Sequence, residues 1–145
     1  FGPLYSQFAK ENIRWPTAIK IASLIEREAG KDKEMPLVAG IIWNRLLQGM
    51  PLAIDATIQY AKGNAGSGWW TPLVKGDTKI NSPYNTYINK GLPPTPISNP
   101  GLPAIEAVLK PEKTTCLYYI HDNDGLIHCS KTYVEHQANI EKYLK

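Results

Sequence analysis

Two glutamates, Glu26 and Glu28, stand in a stretch of this 145-residue chain where a carboxyl group would sit beside aliphatic side chains. The segment from Thr17 to Ala29 lacks proline and glycine, follows Trp15-Pro16 and stops at Gly30, the pattern of a helix with its C-terminal glycine. At about 100° per residue, Ala18, Ile21, Ala22, Ile25 and Ala29 form an apolar stripe flanked by Ile19 and Leu24, with Lys20, Ser23 and Arg27 on the polar back. Both glutamates fall within the apolar arc, on opposite flanks. Desolvation favours the protonated form of a carboxyl, and a protonated carboxyl near neutral pH is what a general acid requires. Residues two apart on a helix diverge by roughly 200°, so only one of the pair can serve a given cleft. Glycosidases that activate a water use two carboxyl groups, whereas a reaction whose nucleophile belongs to the substrate needs only one.

Other constellations are less specific. Asn44, Arg45, Asp55 and Asn85 could each hydrogen-bond a sugar hydroxyl or acetamido group, or equally brace a loop. Trp69, Trp70, Tyr84 and Tyr87 could stack on sugar rings or pack the interior. His121, His128 and His136 lack the Cys or carboxylate spacing of a metal site, so neither metal nor cofactor is expected. Phosphate loops and nucleophile elbows are missing from the sequence. The net charge of +3 comes from dispersed basic residues, which argues against nucleic acid as a partner and suits an acidic wall polymer.

The elements that must position these residues are mainly helical. Pro36 opens a second helix in which Val38, Ile41, Ile42 and Leu46 recur at helical spacing, with Gly49 at its end. Asp55 is suited to cap a third, brief helix reaching Lys62. From Gly63 to Gly101 the glycines Gly66, Gly68, Gly76 and Gly91 mix with several prolines, which predicts a long loop forming one wall of a cleft. A short helix follows from Pro103 to Leu109. The runs Cys116 to Ile120 and Leu126 to Cys129, joined by Asp122-Asn123-Asp124-Gly125, predict a β-hairpin. Thr132 with Glu135 forms a capping box for a closing helix. Whether Cys116 and Cys129 pair depends on the turn register, and free thiols and a disulfide both stay open.

The chain resembles the YceG-like endolytic murein transglycosylases from about Ile21 to its C-terminus. The likeness is carried by Ala22-Ser23-Leu24-Ile25-Glu26-Arg27-Glu28, by Ile42-Trp43-Asn44-Arg45-Leu46 through Gly49-Met50-Pro51-Leu52, and by Asp55-Ala56-Thr57-Ile58-Gln59-Tyr60. Ser82-Pro83-Tyr84-Asn85-Thr86-Tyr87 and Gly91-Leu92-Pro93-Pro94-Thr95-Pro96-Ile97 continue it, followed by Asn99-Pro100-Gly101, Lys113-Thr114, Ser130-Lys131-Thr132 and His136. Ala56 departs from the proline of the family and should alter only the turn before the short helix. The resemblance implies an α+β architecture: a mainly helical, lysozyme-like catalytic core with a small β-hairpin and a long Pro/Gly-rich cleft loop, in one catalytic domain over residues 1–145.

It also implies Glu26 as the catalytic acid and base, with Glu28, Asn44, Gln59, Tyr60, Tyr84 and Asn85 as substrate-binding residues. The implied reaction cuts the bond between N-acetylmuramic acid and N-acetylglucosamine in peptidoglycan glycan strands and leaves a 1,6-anhydro end. The expected parent protein is anchored in the bacterial inner membrane, with a LysM-like module outside this chain. Its catalytic part would face the extracytoplasmic side, help to terminate nascent strands and associate with cell-wall synthases. A lysozyme-like hydrolase and a non-catalytic peptidoglycan-binding module are the competing readings.

Overall fold

The computed structural model describes residues 2–63 and 68–145; Gly66, part of the expected loop, lies outside the described residues. In chain order the elements are α1 (Gly2–Lys10), α2 (Trp15–Glu28), α3 (Met35–Gln48), α4 (Asp55–Lys62), α5 (Leu102–Leu109), β1 (Tyr118–His121), β2 (Ile127–Ser130) and α6 (Tyr133–Leu144). Single 3-10 turns occupy Asp32–Glu34 and Asp77–Lys79. The fold is α+β, with helices predominating and a two-stranded antiparallel sheet. No described helix is long and apolar enough to cross a membrane.

Helices α2, α3 and α5 make the core. Ile21, Ala22, Leu24 and Ile25 of α2 meet Val38, Ala39 and Ile42 of α3 and Ala104, Ile105 and Val108 of α5, all fully or almost fully buried. Helix α2 begins at Trp15, two residues before the expected start, because Pro16 fits the first turn, where its missing N–H costs nothing. Helix α3 ends at Gly49, whose φ of +70° is the left-handed cap a glycine supplies without strain. Trp43 ties α3 to α5 through its indole N–H and the Val108 carbonyl, 3.1 Å apart.

Ser23 departs from the amphipathic reading. It belongs to the predicted polar back, yet it is completely buried. Its hydroxyl donates to the Lys20 carbonyl at 2.7 Å and accepts the Ile97 N–H at 3.1 Å, while its carbonyl accepts the Ser98 hydroxyl at 2.9 Å. The proline-rich segment docks on this face of α2, and a small polar residue satisfies backbone groups that an aliphatic one would leave unpaired. The described part of the long loop carries no α-helix or strand.

The hairpin forms with Tyr119 opposite Cys129, and its strands lie one or two residues beyond the expected runs. Cys116, just before β1, forms a disulfide with Cys129, with the two Cα atoms 5.8 Å apart. The register thus resolves the question that composition left open. The capping box of α6 is present, with Thr132 accepting the Glu135 N–H and Glu135 accepting the Thr132 N–H. Asp55, by contrast, does not cap α4; it is the first helical residue after Ile54, and its carboxylate is engaged elsewhere. Ala56 sits in the first turn of α4, where a proline would also fit.

The segment leading to the hairpin is laid directly on α3 at Gly40. A Cβ there would stand 2.3 Å from the Glu112 carbonyl oxygen and 3.2 Å from the Thr114 methyl carbon. Gly40→Ala is therefore expected to destabilise the protein by about 1–3 kcal/mol through overpacking. Denaturant unfolding checks this; an unchanged midpoint would mean that the segment lifts off α3 without penalty.

Candidate active site

The cavity of interest, about 370 Å³, lies between the C-terminal end of α2, the α3–α4 connection and the outer strand of the hairpin. Glu28 forms part of its wall, with Ile41, Ile42 and Leu52 as apolar neighbours. Its Oε1 accepts the Tyr119 hydroxyl at 2.6 Å. Burial raises the Glu28 pKa above its ordinary value of 4.5, and the negative charge of Asp55 raises it further; the Tyr119 hydrogen bond, His121 and Arg27 pull the other way. Glu28 is also the last residue of α2, where the negative end of the helix dipole disfavours a further anion.

Several contacts hold that carboxyl in place. Buried Glu34 accepts the Gly30 N–H at 3.2 Å and pairs with His121 Nε2 at 3.0 Å, joining the end of α2 to β1. On α3, Asn44 donates to the Thr114 and Cys116 carbonyls at 2.7 and 3.0 Å. Arg45 donates to the Leu117 carbonyl at 2.6 Å and the Pro51 carbonyl at 2.7 Å. These bonds fix the entrance of β1, and β1 then delivers Tyr119. Burial and the neighbouring Glu28 charge push the Tyr119 phenol well above its ordinary pKa of 10, so it remains a donor.

The α4 side of the cavity carries Asp55 and Tyr87, whose hydroxyl donates to Asp55 Oδ1. Burial, then the hydrogen bond and charge of Asp55, raise the Tyr87 pKa. The Ser82 to Tyr87 motif puts this pair together. Buried Asn85 folds the turn by donating to the Thr78 and Ile80 carbonyls at 3.1 and 2.8 Å and accepting the Tyr87 N–H at 2.9 Å. Thr86 accepts the Ile54 N–H at 2.9 Å, and its hydroxyl lies 2.9 Å from that of Thr57. Ala53, on the cavity wall, holds a φ of +52°, a strained conformation for a residue with a Cβ, and its N–H donates to the Thr86 carbonyl.

Arg45, Tyr118, Tyr133 and His136 complete the wall. The Arg45 guanidinium lies 4.9 Å from the Tyr118 ring centroid, and His136 stacks on the same ring at 5.1 Å. Burial, then the Arg45 charge, lower the His136 pKa below 6.5, so the imidazole is neutral at neutral pH. Its Nδ1 is buried without a hydrogen-bond partner. The cavity therefore combines one sheltered carboxyl, one negative charge, phenolic donors and a neutral imidazole, a set able to give and recover a proton beside a polar substrate.

The residues expected from sequence separate into two groups. Glu28 lines the cavity, as do Asp55 and Arg45, which were ambiguous in sequence. Glu26 is not among the lining residues; it lies on the flank facing α5, where its Oε1 accepts the Gly101 N–H at 2.7 Å at the start of that helix. It stands three residues after Ser23, on the face that holds the Ile97 to Gly101 segment. Asn44 and Asn85 brace backbone, as above. Gln59 donates to the Trp70 and Thr71 carbonyls at 3.3 and 3.0 Å, and Tyr60 and Tyr84 pack together at 5.0 Å, all outside the cavity wall. The long loop supplies only Tyr87 to the cavity among the described residues, so the opposing wall is the hairpin.

Sequence reasoning gave no cavity role to Tyr118, Tyr119 or Tyr133. Nothing local marks them, because their placement follows from hairpin register and docking. His128 pairs with Asp122 at 2.8 Å and stacks on Tyr143 at 3.6 Å. Among the described residues no group of three or more His, Cys, Asp or Glu is placed to hold a metal ion.

Comparison with known proteins places the chain in a family. The YceG-like family model matches residues 5–142. A Bacillus subtilis protein named endolytic murein transglycosylase is 38% identical over 139 residues, covering 96% of this chain and 38% of its own. A Streptococcus pneumoniae protein of the same name is 35% identical over 145 residues, covering 99% of this chain and 26% of its own. The chain thus spans well under half the length of these relatives. The crystal structure of a YceG-like protein from Listeria monocytogenes superposes with a TM-score of 0.81 at 36% identity, over 92% of this chain and 41% of that one. With nearly its whole length matched in family, sequence and fold, the chain belongs to the YceG-like family.

Proposed function

We propose that this chain is the catalytic domain of an endolytic lytic transglycosylase that cuts the β-1,4 bond between N-acetylmuramic acid and N-acetylglucosamine in peptidoglycan, with Glu28 rather than Glu26 as acid and base. The observation that carries this reading is the Glu28 carboxyl, raised in pKa by burial and bonded to Tyr119 on the wall of the 370 Å³ cavity. The names of the Bacillus and Streptococcus relatives support the substrate. The acid on a helix, beside a cavity closed by a small antiparallel sheet, supports a lysozyme-like plan.

In the proposed reaction neutral Glu28 gives its proton to the glycosidic oxygen as the bond from that oxygen to the muramic acid C1 breaks. Positive charge grows at C1, and the negative Asp55 favours it. The C6 hydroxyl of the same sugar then attacks C1 and gives its proton to the Glu28 carboxylate, closing a 1,6-anhydro ring and restoring the acid. No water is consumed, and the tethered hydroxyl has a high effective concentration. While Glu28 is ionised, the Tyr119 hydrogen bond stabilises the carboxylate.

The disulfide supports action on the extracytoplasmic side of the membrane. Termination of nascent strands, attachment of a parent protein to the inner membrane and association with wall synthases belong to the same proposal.

Three measurements test it. Glu28→Gln should lower murein cleavage at least a hundredfold, of the order expected for losing a general acid, whereas Glu26→Gln, which keeps an acceptor for Gly101, should stay within a few-fold of wild type. The reverse pattern would return the role to Glu26. Mass spectrometry of the products should show ends lighter by one water than hydrolytic ends; reducing ends alone would make the enzyme a hydrolase.

The third measurement is pH dependence. Activity needs protonated Glu28 and is lost as pH rises through its raised pKa. Asp55→Asn removes a charge that raises that pKa, so the alkaline limb of the rate profile should move to lower pH. The same sign applies to stability. Because the folded pKa exceeds the ordinary 4.5, the native state binds this proton more tightly, and stability falls as pH rises from that value through the folded one. Glu28→Gln escapes the loss and should melt no lower than wild type at pH 7, the advantage disappearing below pH 4.5. A lower melting temperature at pH 7 would contradict the burial argument.

A further inference from the structure

A second feature that the proposed chemistry does not use is a cluster of four aromatic rings. Tyr60 sits at its centre, 6.2 Å from Trp69, 6.3 Å from Trp70 and 5.0 Å from Tyr84, with the two indoles 6.5 Å apart. Trp69 is 54% exposed. The Arg27 guanidinium lies over the Trp70 ring at 3.8 Å. Trp70 adopts φ +62°, a left-handed conformation that costs a bulky residue free energy. It is held there by Gln59, which donates to the Trp70 and Thr71 carbonyls. Tyr60, Trp70 and Tyr84 pack against the hydrophobic core, while the indole of Trp69 stays largely open to solvent on their outer side, a flat ring that interior packing does not use.

Three separate pieces of chain connect the cluster to the cavity. Glu28 faces the cavity and Arg27, its neighbour, reaches Trp70. Asp55 faces the cavity and Tyr60, five residues and about 7.5 Å further along α4, centres the cluster. Tyr87 faces the cavity and Tyr84, at the other end of the same turn, packs on Tyr60. A chain of rings lying along the cavity would extend onto this surface.

We infer that the Trp69–Trp70–Tyr60–Tyr84 cluster is a glycan subsite, on which the apolar face of a sugar next to, or next but one to, the cleaved linkage stacks on Trp69 while Arg27 donates to its hydroxyl or acetamido oxygens. Such a subsite makes binding depend on strand length and favours cuts within a strand. The inference rests on the cavity at Glu28 being the place of cleavage.

The test uses Glu28→Gln as background so that ligand survives, with peptide-free murein glycan strands and the corresponding disaccharide as probes in calorimetry. Adding Trp69→Ala should weaken binding of long strands about tenfold, the scale of one lost aromatic stack, and leave disaccharide binding unchanged. Trp69→Phe, which keeps a flat ring, should recover most of the loss. Equal binding of long strands with and without Trp69 overturns the subsite, as does an equal loss for both probes, which would mean a general structural effect. Continued cleavage by Glu28→Gln alone would instead overturn the catalytic assignment, and it is seen directly as shortening of the strands.

Discussion

A carboxyl group at the last turn of a helix, enclosed by protein, is disfavoured as an anion both by lost hydration and by the helix dipole. Glu28 occupies such a position, and much of the surrounding structure serves to keep it there. Ala29 and Gly30 end the helix at once, buried Glu34 binds the Gly30 N–H and reaches across to His121, and the hairpin brings one phenol within 2.6 Å of the acid. That hydrogen bond steadies the ionised form without undoing the effect of burial, since the net direction remains upward. The group is thus able to exist in both protonation states, the condition for donating a proton and recovering it.

The cost of this arrangement is spread over braces that do no chemistry. Asn44 and Arg45 hold five backbone carbonyls on the hairpin entrance and the loop before α4. The Cys116–Cys129 disulfide closes the same hairpin covalently. Asn85 and Thr86 fold the turn that sets Tyr87 against Asp55, and Ala53 keeps a strained backbone between them. Amide side chains that could be taken for sugar ligands therefore satisfy backbone groups instead, as most buried polar side chains do.

Glu26 shows why two carboxyls of one short motif acquire different tasks. Its oxygen takes up an N–H at the start of α5, one of the amide hydrogens a helix beginning cannot satisfy for itself. Together with Ser23 it fixes the proline-rich segment on α2, so two glutamates separated by a single residue meet different surroundings, a helix start and a cavity wall.

The sequence by itself located the helices expected at Thr17 to Ala29 and Pro36 to Gly49 to within two residues of where they lie, together with the hairpin and the capping box, because periodicity, proline, glycine and capping residues act over a few neighbours. It also set both Glu26 and Glu28 in the apolar arc, and the family resemblance implied Glu26 as the acid. Their different surroundings came only from the tertiary structure. Ser23, expected on the polar back, is buried where its hydroxyl accepts the N–H of Ile97 some seventy residues away, while Glu26 accepts the Gly101 N–H and Glu28 lines the cavity. Tyr119, Tyr87 and the disulfide were likewise settled by strand register and by a turn docked on a distant helix, long-range pairings that no local pattern encodes.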